Sequence, residues 1–285
     1  MNTGTLLRLG RVSNLPTVWT NALAGAALAG SALSGNEFLV AVVLTGIALS
    51  VFYEGGMWLN DAFDADIDAE VRANRPIPNG EISRATVYTG GFAMLAIGCA
   101  ISLLLGGMAF VAGLALALAI LLYDWLHKRT VLSPVIMGAT RFFSYMLAAL
   151  AVGLFADPVL WGGLGLFAYI IGLTYAARQE AYDRIGAAWP LAVLALPLLY
   201  LVWLGFSTPI VFLFLAGLLA VVGFALHRLF RRSKGDVPRA VVTLIAGICL
   251  YDAALIASTG ETGLAMLAAI GFGVTLALQK VASGT

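Results

Sequence analysis

An all-α bundle that crosses a membrane many times is the fold this sequence predicts. Three observations carry that expectation. Hydrophobic residues make up 61% of the 285 and charged residues only 11%, with a mean hydropathy of +0.96; a soluble domain of this size has no core able to hide so much apolar side chain. Apolar runs of about 20 residues, enough helix to span the hydrocarbon core, recur along the whole chain. The polar breaks between the runs alternate in charge. One set, at 34–37, 106–107, 156–158, 207–209 and 259–262, holds no Lys or Arg, while the other holds nearly all of the 16 basic residues.

Spans are therefore expected at roughly 15–34, 37–60, 84–106, 108–125, 133–154, 158–182, 187–206, 208–230, 238–258 and 261–280, with boundaries good to about 2–4 residues. Arg8 and Arg11, Arg72, Arg75 and Arg84, Lys128 and Arg129, Arg184, the group from Arg228 to Arg239, and Lys280 all fall on one side. The positive-inside rule makes that side cytoplasmic, with both termini there, and an odd number of spans would break the alternation. These ten spans are expected to form one domain over 1–285. The stretch 61–83 is its longest polar segment, and Pro76, Pro78 and Gly80 forbid a continuous helix there, so it is expected as a cytoplasmic cap loop. No basic-aromatic run of the kind that tracks nucleic acid is present. Cys99 and Cys249 sit in apolar runs and read as small buried residues, not as a disulfide or a metal pair. No cleaved signal peptide is expected.

The chemistry concentrates at the end of the second span. Asn60-Asp61-Ala62-Phe63-Asp64-Ala65-Asp66-Ile67-Asp68 places four aspartates in eight positions of a chain with only 15 acidic residues. If that segment is helical, Asp61, Asp64 and Asp68 share a face, as do Asn60, Asp64 and Asp68. Like charges there repel unless a cation intervenes, and hard oxygen donors suit Mg²⁺. Two other span ends on the same side are charged: Tyr175-Ala176-Ala177-Arg178-Gln179-Glu180-Ala181-Tyr182-Asp183, where Glu180 and Asp183 can share a cation, and Tyr123-Asp124-Trp125-Leu126-His127-Lys128-Arg129. Lys128 and Arg129, with Arg72 and Arg75 from the loop, suit phosphate. Carboxylates, a divalent cation and several basic groups are what a diphosphate needs; a merely solvated acidic and basic membrane surface is the competing reading. Arg141 lies roughly 12 Å into its helix, where charge costs ~2.5–3.5 kcal/mol, so it should face the interior with an acidic or phosphate partner, unless it snorkels. Glu54 sits deeper than Asn60 and could position or deprotonate an acceptor or be a satisfied structural group. His127 and His227 read as interfacial.

The string Asn60-Asp61-x-x-Asp64-x-x-x-Asp68, continued by Arg75-Pro76-Ile77-Pro78-x-Gly80, resembles the first signature of the UbiA superfamily of membrane prenyltransferases, and Tyr123 with Lys128-Arg129 is similar to its Tyr/Lys-Arg segment. The resemblance covers roughly residues 5 to 260. It implies an all-helical fold with a large lateral cavity, prenyl diphosphate held through two Asp-rich motifs and Mg²⁺, and transfer of the prenyl group to an acceptor: aromatic, a quinone precursor, or a hydroxylated cyclitol or sugar-like group. Asp61, Asp64 and Asp68 would hold one Mg²⁺ with Asn60 assisting, Glu180 and Asp183 a second; Arg72, Arg75, Lys128 and Arg129 would stabilise the leaving diphosphate. Membrane lipids would be partners, in what is expected to be a bacterial inner membrane. Two departures stand out. The second motif has Asp183 but Ala187 where a second aspartate is usual, and ten spans exceed the common nine. Arg178-Gln179-Glu180 and the extra span are similar to the UbiA branch found in Ebo gene clusters. A transporter would show an internal repeat with broken helices, which is not evident; a CDP-alcohol phosphatidyltransferase would carry Asp-Gly-x-x-Ala-Arg, which is absent. A prenyl-lipid-binding relative without catalysis is the remaining alternative.

Overall fold

The computed structural model describes residues 3–30, 33, 35–153, 155–179 and 187–280. The described residues are helical throughout, in the order α1 (Thr3–Gly10), α2 (Leu15–Ala29), α3 (Gly35–Val71), α4 (Arg84–Leu104), α5 (Gly107–Leu126), α6 (Ser133–Ala151), α7 (Asp157–Arg178), α8 (Ala195–Ser207, entered through a 3-10 stretch at Trp189–Leu194), α9 (Val211–Arg231), α10 (Asp236–Ser258) and α11 (Thr262–Leu278). Prolines open several of them: Pro16, Pro134 and Pro158 stand in the first turn of α2, α6 and α7, where a missing N–H costs no helix bond. Ser83 caps α4, its hydroxyl accepting from the Thr86 N–H at 3.1 Å, one of the otherwise unpartnered first-turn donors.

Among the described residues, eight segments are long and apolar enough to cross a membrane, and the chain is an integral membrane protein. α2 at 15 residues and α11 at 17 are shorter, yet fill the two remaining expected positions. Sequential helices pack as antiparallel pairs, and α2 packs on α3, α6, α10 and α11. α10 is the most enclosed span and α4 among the most lipid-facing. Accordingly Leu103, Leu104 and Phe206 lie on the outside while Leu244, Ile248 and Tyr251 of α10 are sealed. Glycine allows one close crossing: a Cβ on Gly91 would lie 2.6 Å from Leu59 Cγ and 3.2 Å from the Gly55 carbonyl, so α3 and α4 touch backbone to backbone.

Two boundaries differ from expectation. The second span does not stop at residue 60, and the cap loop expected over 61–83 begins only at Arg72, because α3 runs unbroken for 37 residues to Val71. Nothing between 61 and 71 breaks a helix, and the polarity that ended the apolar run lies on a face that finds partners. The short α1 is the other addition; it packs Leu9 against Ala62, Ile82 and Val87.

Candidate diphosphate site at the end of α3

The helical phase of α3 sorts its aspartates. Asn60, Asp61, Asp64 and Asp68 are buried, at 3 to 9% exposure, whereas the Asp66 side chain is 81% exposed and pairs with Arg84 at 3.0 Å. Each inward carboxylate meets cations from a different segment. Asp61 Oδ1 accepts from Arg75 at 2.6 Å and from Arg11 at 3.4 Å. Asp64 Oδ2 faces Lys128 Nζ at 2.9 Å and His127 Nε2 at 3.2 Å. Asp68 lies 3.9 Å from Lys128 and 4.0 Å from Arg75. Three carboxylates one or two turns apart would repel on a bare helix; here Arg11, Arg75 and Lys128 balance them and gather the N-terminal segment, the 72–83 loop and the end of α5 around the end of α3. Burial, and after it the neighbouring Arg11, lower the Arg75 pKa below its ordinary value, though the guanidinium stays charged.

Asp124, 4% exposed, accepts from Asn60 Nδ2 at 3.1 Å through Oδ1, while its Oδ2 is buried with no partner. Tyr123 stacks on His127 with ring centroids 5.0 Å apart. Tyr123 thus reaches the site through His127, and Asn60 through Asp124.

The loop is held from outside by Glu81, which accepts from Thr5, Arg8 and Asn79. Those three bonds hold its carboxyl at about 2, down from 4.5. A lowered acid stabilises the state in which it is charged, so the contribution is fully present above 4.5 and is lost as pH falls toward about 2. A pair of distance labels at positions 6 and 79 should therefore separate as pH drops through that window, and Glu81→Gln should separate them already at neutral pH. The outward pair serves as a control: Asp66→Asn should cost no more than about 1 kcal/mol by chemical unfolding, because a pair this exposed is worth little.

Arg141 faces the interior, as expected, but its partners are neutral. Nη1 donates to Asn21 Oδ1 at 2.7 Å and Nη2 to Thr17 Oγ1 at 3.3 Å, and the guanidinium stands 5.9 Å over the Tyr53 ring. The acid is one residue removed: Asn21 Nδ2 donates to Asp252 Oδ2 at 2.8 Å, and Asp252 also accepts from Thr20 and Tyr145, each at 2.5 Å.

The remaining expected residues divide. Arg72 and Arg129 are exposed at the mouth and make no side-chain bond to a described residue. Tyr175 donates to the Ala187 carbonyl at 2.6 Å and Arg178 to those of Thr130 and Val131, so both brace the ends of α5 to α8 and do not enter the carboxylate cluster. Glu54 is half-buried beside Gly10 and makes no ion pair with a described residue. Glu180 and Asp183 lie outside the described residues. Sequence reasoning missed Arg11, whose partner is 50 residues away, and took His127 as interfacial; its place one residue before Lys128 was the available signal. Asp124, Asn21 and Asp252 gave only the signal of polarity inside an apolar run.

Among the described residues no three Asp, Glu, His or Cys side chains already stand as a metal centre. The donor set nevertheless fits a hard divalent cation: Asp61 Oδ2 and Asp64 Oδ1 accept no hydrogen bond from a described residue, while each residue's other oxygen is anchored to cations, and all-oxygen ligation suits Mg²⁺.

A buried carboxylate face ringed by cations thus closes one end of a polytopic membrane helix bundle. Residues 17–248 match the UbiA prenyltransferase family, and the chain belongs to that family. It is 30% identical over 166 residues to a digeranylgeranylglyceryl phosphate synthase of Methanopyrus kandleri, a match covering 58% of this chain and 60% of that protein. It is 34% identical over 108 residues to a protoheme IX farnesyltransferase of Korarchaeum cryptofilum, covering 36% and 37%. The chain thus spans less than two thirds of the curated relatives it matches. Among solved structures, that of a digeranylgeranylglyceryl phosphate synthase superposes with a TM-score of 0.64 at 18% identity, covering 90% of this chain and 97% of that one. A UbiA homologue from Archaeoglobus fulgidus bound to GPP and Mg²⁺ superposes at 0.54 with 14% identity, covering 96% and 99%. These confirm the expected fold.

Proposed function

We propose that this protein is a Mg²⁺-dependent prenyltransferase that moves an isoprenoid group from its diphosphate to an acceptor in the membrane, acting at the cytoplasmic face. The carrying observation is the face of Asp61, Asp64 and Asp68, buried and balanced by Arg11, Arg75 and Lys128. Asp61 and Asp64 would hold the metal with Asp68 and Asn60 beside them, and Glu180 and Asp183 would supply a second, weaker site. A bound Mg²⁺ supplies Lewis-acid stabilisation of diphosphate charge. Arg11, Arg75 and Lys128, which stand against these carboxylates, would face the phosphate oxygens, with Arg72 and Arg129 at the mouth. The bond from the allylic carbon to diphosphate oxygen breaks, negative charge builds on the departing group, and these preorganised cations stabilise it. The acceptor oxygen or carbon then bonds to the allylic carbon and loses its proton. The tail lies among apolar helices open to lipid.

For the acceptor, the relatives' names favour a hydroxylated, phosphate-bearing group over an aromatic one. The test is release of inorganic diphosphate from geranylgeranyl diphosphate by the purified protein, with lipid extract as the acceptor source, with and without Mg²⁺. Release that needs Mg²⁺ supports the reading. Saturable binding with no release under either condition identifies a non-catalytic lipid binder instead.

A further inference from the structure

The polar group around Arg141 is not used by the diphosphate chemistry. It lies between α2, α3, α6 and α10, where a charge has to be justified: apolar side chains would fill the space without the ~2.5–3.5 kcal/mol a guanidinium costs at membrane depth. The arrangement is ordered in a chain. Asp252, fully buried, is saturated by the hydroxyls of Thr20 and Tyr145 and the amide of Asn21. With its NH₂ committed to that carboxylate, Asn21 turns its oxygen to Arg141. Arg141 is thereby aimed, yet it has no direct ion pair with Asp252 among the described residues. Its Nε bonds to nothing described, and the side chain is half-buried and not sealed.

The group is also wired to the carboxylate cluster. Tyr53, under the guanidinium, accepts from Asn14 at 3.1 Å and donates to the Arg11 carbonyl at 3.3 Å, and the Arg11 side chain reaches Asp61. Tyr53 precedes Asp61 by eight residues on the same helix, ~12 Å along its axis.

We infer that Arg141, with Thr17 and Tyr53, is an anion subsite for the acceptor, binding a phosphate monoester or carboxylate headgroup carried on a lipid, and that Asn21 and Asp252 are the residues that position it. A guanidinium with unused donors binds such heads by charge-assisted bonds that a neutral headgroup does not make. The subsite rests on the transferase reading for its role as acceptor site, but not for its binding chemistry.

The experiment titrates the protein, in dodecyl maltoside and with saturating geranyl diphosphate and Mg²⁺, with dodecyl phosphate, dodecanoate or dodecyl glucoside. Wild type should bind at least one of the two anions saturably and about tenfold or more better than the neutral glucoside; which of them binds distinguishes phosphate from carboxylate. Arg141→Gln should lose that preference and Arg141→Lys should keep part of it, with geranyl diphosphate still raising Tm in both. Asp252→Asn, which touches no ligand, should weaken anion binding about threefold at unchanged geranyl diphosphate affinity, as expected of a positioning residue. Absence of an anion preference in wild type, or an Arg141→Gln protein that binds as wild type does, overturns the subsite; if Arg141→Gln does not fold, undiminished binding in Arg141→Lys does so. An Arg141-dependent anion preference in a protein that ignores geranyl diphosphate supports the subsite and overturns the transferase reading alone.

Discussion

Asp64→Ala and Asp68→Ala each lower Mg²⁺-dependent diphosphate release from geranylgeranyl diphosphate by about 10²–10³-fold, the size of effect that follows removal of one preorganised charge from a buried reaction site. The alternative cause of lost activity, a collapsed fold, is disfavoured by magnitude. Asp64 pairs with Lys128, whose side chain is 35% exposed, and with His127; an ion pair that wet contributes at most about 1 kcal/mol. Removing one of three neighbouring carboxylates also relieves their mutual repulsion. Tm of the variants should therefore stay near wild type while turnover falls. Asp61→Ala should behave differently in one respect: it takes from Arg11 its carboxylate and leaves Arg75 only the more distant Asp68, with both guanidinium groups mostly buried, and so loses stability as well as turnover. Wild-type turnover in Asp64→Ala and Asp68→Ala would remove the carboxylate face from the mechanism.

Much of this was legible before any coordinates. The ten apolar runs became helices at the expected places because membrane depth leaves the backbone no other way to satisfy its hydrogen bonds. The spacing of Asp61, Asp64 and Asp68 named the inward face, and Asp66, out of phase, was turned out to Arg84. Hydropathy misjudged the end of α3, since it counts polarity without asking where it points; the three-and-four spacing of the aspartates already implied helix to residue 68. The cation partners were harder. Arg75 lies within the motif, but Arg11 closes on Asp61 only because α1 folds under the loop, a long-range event with no local signature. Arg141 was expected to have an acidic or phosphate partner; an intervening amide cannot be read from a chain in which Asn21 and Asp252 stand 231 residues apart. Tyr175 and Arg178 were drawn in by proximity to a motif, and the backbone carbonyls they serve carry no sequence signal.

Asp252→Ala should be the most destabilising substitution outside the carboxylate face, by about 3–5 kcal/mol, because one buried carboxylate serves three buried donors. Two hydroxyls and an amide, from Thr20, Tyr145 and Asn21, lose their acceptor in a place water does not reach, and each such orphan costs about 1–3 kcal/mol before relaxation. Asn21 is freed to rotate, and Arg141 loses its aimed acceptor and the carboxylate behind it. Asp252→Asn keeps the shape and one acceptor oxygen, so it should cost about 1–2 kcal/mol. The decisive measurement is a double-mutant cycle in detergent unfolding. If Arg141 and Asp252 are coupled through Asn21, the pair Arg141→Gln with Asp252→Asn should be less damaging than the sum of its parts by about 1–3 kcal/mol, because neither charge is then left without its counterpart. Additive costs would mean that Asp252 merely ties α2 to α6 and α10, and that Arg141 is held by Asn21 and Thr17 without it.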